Sequence, residues 1–431
     1  MTERDAYDVV VAGGGPAGAA AALALAAAGR SVLLAHSGGG PAAVGEALPA
    51  AARPLLRDLG AESVLRDEGH VPCQANQSVW GSPELASADA IFDPHGHGWH
   101  IDRPAFDHAL RTVAAERGTD VVQRRVMPSA ARRTEDGWTV PVCGTDGGRD
   151  VRCRWIVDAT GRPAAFAVAA GARRRGFDRL IAVHLTLDAG DPAAEDASTL
   201  VEATPDGWWY TALLPRGRRL LVRYTDTDLA TACELAAPDA FRARLASAPH
   251  TAARVAEHPF PPELRPRRAP AHTAFLDRPC GEGWVAVGDA AAAYDPLSSQ
   301  GILTALYTGL RAGRAVDAAL SGDAAAGDRY AEDVRTVTMA YLRNRLAYYR
   351  AETRWADRPF WQRRQGGGAD VGPGLGSEAG SDAASEAGSA AGSAAGSGAG
   401  AEAGSEAGSH TGADLGADAG ADVRPVTSAE A

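Results

Sequence analysis

Asp8-Val-Val-Val-Ala12-Gly13-Gly-Gly15-Pro16-Ala17-Gly18 opens the ordered part of the chain, and its reading decides the fold. A short apolar run, Asp8 to Ala12, has the length and composition of a buried strand. An Ala-Leu helix pattern follows the glycines through Ala28, and Ser31 to Ala35 repeats the strand signal. That is a β-α-β unit in about thirty residues, with G-x-G-x-x-G at the mouth of its helix. Gly13 permits the tight turn, Gly15 leaves room for a pyrophosphate to approach the backbone, and Gly18 lets helix and strand pack closely. The acidic residue that normally ends the second strand and holds a ribose hydroxyl is absent. By spacing its place falls to His36, whose neutral imidazole can accept the same hydrogen bond.

A second signal lies far downstream. Gly283-Trp-Val-Ala-Val-Gly288-Asp289 reads as a strand ending in a carboxylate placed to accept from a sugar or ribityl hydroxyl. Tyr294-Asp295-Pro296-Leu-Ser-Ser-Gln300-Gly301-Ile302 then feeds a helix through Leu320. The unpaired N–H groups and positive dipole end of that helix favour the negatively charged edge of a reduced flavin. Other elements follow from pattern. A helix spans Ile101 to Gly118, with Asp102 as N-cap, Pro104 in the first turn, and Phe106, Leu110 and Val113 on one face; strands are expected at Val121 to Val126 and Trp155 to Ala159. From Leu180 to Thr225 strands alternate with turns at Asp188 to Asp191, Pro205 to Gly207 and Pro215 to Gly217, which predicts an antiparallel sheet.

The expected fold is α/β: a Rossmann-type dinucleotide-binding domain with an inserted antiparallel-sheet substrate domain and a C-terminal helical segment. Residues 1–60, 101–172 and 268–325 make the first, 61–100 and 173–267 the second, and 326–365 the third. Residues 366–431 collapse to Gly, Ala, Ser, Asp and Glu with a four-residue S-x-A-G beat. They lack the apolar surface to offset ordering entropy, so a disordered acidic tail is expected.

Composition narrows the chemistry. The chain has 431 residues and its 43 basic residues are all arginine. Schiff-base chemistry, a Walker-type phosphate lysine and a lysine nucleophile are therefore excluded. The net charge of -11 belongs mostly to the tail, where ten acids face Arg424 alone; the body carries 42 Arg against 44 acids. A near-neutral body argues against nucleic-acid and anionic-membrane surfaces. Cysteines 73, 143, 153, 233 and 280 show no metal or disulfide spacing and read as small buried hydrophobes. The acidic N-terminus and the short apolar run Ala19 to Ala28 imply neither an export signal nor a span, so a cytoplasmic protein is expected.

Gly45-Glu46-Ala-Leu-Pro49, Asp102-Arg103-x-x-Phe106-Asp107-x-x-Leu110, Asp158-Ala-Thr-Gly161 and Gly288-Asp289 complete a pattern with the two cofactor motifs. With them the chain resembles the FAD-dependent monooxygenase superfamily of the p-hydroxybenzoate hydroxylase fold, including tryptophan halogenases and geranylgeranyl reductases. Trp80-Gly-Ser82, Gly96-His97-Gly-Trp99-His100, Gly207-Trp208-Trp209-Tyr210 and Asp295 to Gly301 are similar to the halogenase-like flavoproteins that mature tryptophylquinone cofactors. The resemblance implies FAD, with NAD(P)H or a separate flavin reductase as electron donor. It implies that Gly13, Gly15, Pro16, Ala17 and Gly18 hold the pyrophosphate, that Asp289 holds the ribityl chain, and that Glu46 and Arg103 flank the cofactor. His36, Val126, Pro296, Gly301 and Ile302 complete the cofactor set. Arg103 has its own argument: a cation in a first helical turn opposes the dipole, so either a cofactor phosphate or Asp102 or Asp107 must face it.

His97, His100 and Gln300 are the candidates for holding or deprotonating a substrate. His95, His97 and His100 form no metal site, because extended backbone sends His97 and His100 to opposite faces and no acidic or sulfur ligand is close. Trp208 and Trp209 alternate, so one faces a flavin-side cavity. Four activities compete: hydroxylation of an electron-rich aromatic ring, in a small molecule or in a tryptophan-containing precursor protein; halogenation, which by the resemblance needs a pocket lysine; alkene reduction; and flavin-dependent partner holding without turnover. Oligomeric state is not legible in the sequence.

Overall fold

The computed structural model describes residues 4–38, 46–66, 69–145, 147–189, 195–229, 232, 234–261 and 263–366. Gly45, Cys233 and the tail beyond Gly366 lie outside the described residues.

Five strands make the parallel core. In spatial order they are Asp120–Val122, Val32–Ala35, Ala6–Ala12, the C-terminal half of Gly147–Asp158, and Trp284–Ala286. The chain enters through Ala6–Ala12, crosses by the helix Pro16–Ala27 and returns as Val32–Ala35, the β-α-β unit read from the sequence. Ala6–Ala12 and Val32–Ala35 are apolar and almost wholly buried, as central parallel strands covered on both faces must be. The first half of Gly147–Asp158 leaves this layer and pairs antiparallel with Gly137–Gly144. The expected strand Val121 to Val126 is two pieces, Asp120–Val122 and Arg125–Val126, because the first pairs with Val32–Ala35 and the second with Gly137–Gly144.

The helix Pro16–Ala27 is apolar on every side, and the reason is a second helix, Gly301–Leu320, lying across it. A Cβ on Gly309 would stand 2.3 Å from the Ala17 carbonyl oxygen, and one on Gly313 would stand 2.6 Å from the Ala24 methyl. Glycine facing alanine brings the two backbones closer than ordinary side chains allow. The helix Arg103–Glu116 begins as expected, with the Asp102 carboxylate accepting from the Ala105 N–H at 3.2 Å. Its buried face is Phe106, Leu110 and Ala114, while Val113 is only half-buried.

A seven-stranded sheet forms the second layer. Its order is Arg267–Pro270, Leu180–Asp188, Arg218–Asp226, Gly207–Leu214, Thr199–Thr204, Ala75–Val79 and Ala86–Asp89. The strands from Leu180 to Thr225 pair antiparallel, as expected, and Ala75–Val79 joins Thr199–Thr204 in parallel. Gly207–Leu214 is buried along its whole length. One face packs Trp209 and Leu221 against Phe241, Leu245 and Val255; the other packs Trp208 and Tyr224 against Tyr349, Phe360 and Trp361. Of the cysteines, Cys73 and Cys153 are buried, Cys280 is half-buried and Cys143 is exposed, which corrects the buried reading for the last.

The closing segment is two helices, Ala326–Ala351 and Pro359–Gln365. The second is locked by charge. Arg364 is buried and donates to both carboxylate oxygens of buried Asp226, at 2.6 and 3.0 Å, and Arg363 reaches Asp226 at 3.0 Å. Arg364→Ala should therefore cost about 3 kcal/mol, the low end for breaking a buried pair because Arg363 remains. Cutting the chain after Gln365 should leave the melting temperature and flavin content unchanged. Thermal melts of the two variants check both outcomes.

Candidate cofactor and substrate site

The glycine loop joins Ala6–Ala12 to Pro16–Ala27 with Gly13 at a φ of +119°, and a Cβ there would lie 2.2 Å from the Ala159 carbonyl oxygen. Gly18 is equally constrained, 2.0 Å from the Gly13 carbonyl oxygen. Gly15 differs: its φ is -78° and a Cβ would meet nothing within 4 Å. Two glycines are thus required by the protein's own backbone, and the third faces open space at a helix N-terminus without a side-chain cap, as a phosphate cradle needs.

At the end of Val32–Ala35, the His36 Nδ1 accepts from the Gly38 N–H at 3.2 Å. Burial, helped by Arg111 and His108, lowers the imidazole's pKa. A neutral ring that accepts through Nδ1 carries its proton on Nε2, so His36 offers a ribose a donor, not the acceptor expected from the sequence. Arg111, which sequence reasoning missed, reaches from Arg103–Glu116 to donate to the Gly14 carbonyl at 2.8 Å. Its signal was its place two helical turns after Arg103. Arg103 itself is largely buried with Asp107 at 3.5 Å, whereas Asp102 pairs with Arg216 at 3.2 Å and Arg218 at 3.8 Å. Val126 is buried on its short strand.

Asp289 stands just past Trp284–Ala286 with its side chain 41% exposed and Arg162 at 3.6 Å. Arg174 donates to the Asp289 and Ala290 carbonyls at 3.0 and 3.1 Å. Gly288, at a φ of +56°, lets this turn sit against Ala17, so the two cofactor motifs touch. Beyond them Pro296–Ser298 forms a single 3₁₀ turn, Ser299 takes a left-handed φ of +51°, and the helix starts at Gly301, where a Cβ would again meet nothing within 4 Å. Gln300 is the half-buried N-cap residue and Ile302 is buried.

Buried Asp295 ties this turn to the second layer. It accepts from Leu297 N–H at 3.0 Å and from the Tyr349 hydroxyl at 2.7 Å, while its own N–H donates to Tyr341 Oη at 2.8 Å. Burial raises its carboxyl pKa and the Arg345 guanidinium, at 3.4 Å, opposes that. Tyr349 in turn accepts from Trp208 Nε1 at 3.2 Å. Trp208 therefore lies on the face of the sheet tied to the Pro296–Ser298 turn, with Tyr210, Tyr224 and Leu297 in the same cluster. Trp209 faces away, edge-on to Phe241. Burial first, and then Glu46, raise the pKa of both Tyr210 and Tyr224, so Glu46 lies within electrostatic reach of both phenols. Tyr210, Tyr224, Asp295, Arg162 and Arg174 join the site only through tertiary contact.

The candidate histidines are not brought together. His97 is half-buried, with Nδ1 2.8 Å from the Gly98 carbonyl oxygen and its ring edge-on to Trp99. His100 is fully buried on Gly98–His100, near the Leu213 backbone and within electrostatic reach of Arg219. Burial lowers its pKa to about 4, with Arg219 acting in the same direction and the Leu213 carbonyl opposing. Among the described residues, no cluster of three His, Cys, Asp or Glu could hold a metal, and no helix is long and apolar enough to cross a membrane.

Residues 6–345 match the FAD binding domain family, so the chain belongs to it, and it is an FAD-dependent oxidoreductase. LodB of Marinomonas mediterranea, named as an FAD-dependent oxidoreductase, is 30% identical over 365 residues, spanning 84% of this chain and 97% of LodB. The myxobacterial chondrochloren halogenase CndH superposes with a TM-score of 0.76 at 22% identity, covering 89% of this chain and 90% of CndH. QhpG, a peptidyl tryptophan dihydroxylase essential for tryptophylquinone cofactor biogenesis, superposes with a TM-score of 0.69 at 26% identity, covering 86% of this chain and 80% of QhpG.

The open and closed glycines separate binding from folding. Gly15→Val should leave the apoprotein's stability within about 1 kcal/mol of wild type and weaken FAD retention, whereas Gly18→Ala, forced against backbone, should unfold at lower temperature. Flavin absorbance after gel filtration, alongside a melt of each apoprotein, reads both. His100 gives a pH signature. The unfolded imidazole binds a proton below about 6.5 and the folded one resists until about 4, so stability falls as pH drops through that window, by about 3 kcal/mol in total. Denaturant titrations at several pH values should show the slope, and His100→Phe should flatten it.

Proposed function

We propose that this protein is a monooxygenase that adds oxygen to an electron-rich aromatic ring, and that the ring is the indole of a tryptophan residue held in a partner protein. The observation that carries the reading is the buried aromatic cluster of Trp208, Tyr210 and Tyr224, which includes Leu297 of the Pro296–Ser298 turn and has two of its phenols within electrostatic reach of Glu46. FAD, once reduced by NAD(P)H or a separate flavin reductase, supplies the oxygen chemistry; the protein binds it, orients the ring and excludes water.

Its own residues suit that task. Gly15 and Gly301 leave space for a pyrophosphate and a ring edge, and Arg162 and Arg174 put positive charge beside Asp289. The buried Tyr210 phenol keeps its proton well above neutral pH, so it is a hydrogen-bond donor and not a base. Gln300 offers a polar handle for an indole N–H. Halogenation is disfavoured by the absence of lysine, which the resemblance makes necessary for that chemistry. The dihydroxylase activity named for QhpG and the shared coverage support the peptidyl substrate.

With a reductant, oxygen and chloride or bromide present, a tryptophan-containing protein or peptide should gain the mass of one or two oxygen atoms and no halogen. A halogenated product would overturn the reading. Oxygenation of small phenols with the peptide untouched would move the substrate to a free aromatic compound.

A further inference from the structure

Four large apolar side chains are exposed among the described residues, and three of them, Leu85, Ile91 and Phe92, lie within eight positions of one another. Ile91 is 84% and Phe92 86% exposed. Single exposed hydrophobics are ordinary, but a cluster of this kind marks an interaction site. It surrounds Ala86–Asp89, the last strand of the seven-stranded sheet, whose four residues are all exposed and whose only strand partner among the described residues is Ala75–Val79. An open strand edge beside an apolar knob is a template for an added strand.

Its charge selects the occupant. From Gly81 to His97 the chain carries Glu84, Asp89 and Asp93 and no arginine. A second copy pairing through the same edge would bring these acids face to face, which disfavours it. The chain's own tail, at ten acids to one arginine and almost free of large apolar residues, is repelled for the same reason. The segment is also fixed to the site at both ends. On one side Trp80 packs edge-on against Tyr349 and Trp361, and the Gly81 N–H donates to Glu352 at 2.8 Å. On the other, Gly98–His100 pairs with Ala47–Leu48, next to Glu46.

We infer that the edge Ala86–Asp89, with Leu85, Ile91 and Phe92, docks an extended segment of a partner protein bearing arginine or lysine alternating with apolar residues, and so brings its tryptophan to the aromatic face. This rests on the peptidyl-substrate reading above, and its test is separate from turnover.

The probe is a fluorescent peptide alternating arginine and valine around one tryptophan, titrated against the FAD-loaded full chain by anisotropy, with the same peptide carrying glutamate for arginine as control. The basic peptide should bind, and the acidic one should bind at least about tenfold more weakly. Ile91→Asp with Phe92→Asp should cost the basic peptide at least about tenfold in affinity at unchanged flavin content. Glu84→Arg with Asp89→Arg should reverse the preference between the two peptides. Equal binding by wild type and the Ile91/Phe92 variant, equal binding of both peptides, or no peptide binding together with self-association abolished by Phe92→Asp would each overturn the docking surface. A peptide that docks as expected and gains no oxygen counts against the hydroxylation and leaves the surface standing. One oxygenated as fast by the Ile91/Phe92 variant as by wild type removes the surface and leaves the hydroxylation.

Discussion

The close crossing of Pro16–Ala27 and Gly301–Leu320 is the constraint on which the site depends. Each helix begins at one of the glycine-bearing loops of the candidate cofactor site, the first at Gly15 and the second at the Pro296–Ser298 turn. Gly309 and Gly313 remove the side chains that would hold the helices apart, and Ala17, Ala20, Ala21 and Ala24 fill the seam from the other side. At this spacing the two N-termini, the Gly288 turn and Asp289 converge on one volume. A single larger residue in the seam would displace one loop relative to the other, because packed interiors yield little.

The inserted sheet meets that volume with one face only. Alternation along Gly207–Leu214 sends Trp208 and Tyr210 to the face that packs on Leu297 and the C-terminal helices, and Trp209 beneath the short helices. What holds that face in place is polar. Asp295 joins the flavin-side turn to Tyr349, and through Tyr349 to Trp208, while Arg345 bridges Asp295 and Asp178. A buried carboxylate in such a place is tolerated because every oxygen has a partner. The C-terminal helices thus pack on this face of the sheet and tie it to the Pro296–Ser298 turn.

Much of the cofactor half was legible in the sequence because its requirements are local. Gly18 is needed by the Gly13 carbonyl five residues back and Gly13 by its own positive φ, even though the backbone Gly13 approaches, at Ala159, is distant in sequence, and the β-α-β pattern lies within about thirty residues. Even the helix crossing leaves a trace, Gly309-x-x-x-Gly313 facing an alanine-rich helix, although its meaning depends on knowing that the two helices touch. The substrate half was less legible. His100 has the residue type of a base, yet it is fully buried on its short strand, and burial there lowers its pKa to about 4. Tyr210 and Asp295 fall within stretches that carry the resemblance, yet their roles are not legible there; they are a strand aromatic and a residue before proline until the sheet, the turn and the last helices close around them.

By itself, then, the sequence determined the nucleotide-binding topology, the flavin class of chemistry and, through its lack of lysine, the reactions it does not perform by that route. Those follow from short-range backbone sterics and from composition, which no packing can change. Tertiary structure alone decided which tryptophan packs toward the Pro296–Ser298 turn, which arginines neighbour Asp289, and that the C-terminal helices cover that face of the sheet. These depend on sheet register and on contacts between residues more than a hundred positions apart, such as Trp208 with Tyr349, which exist only when long-range burial sets the side on which each residue falls.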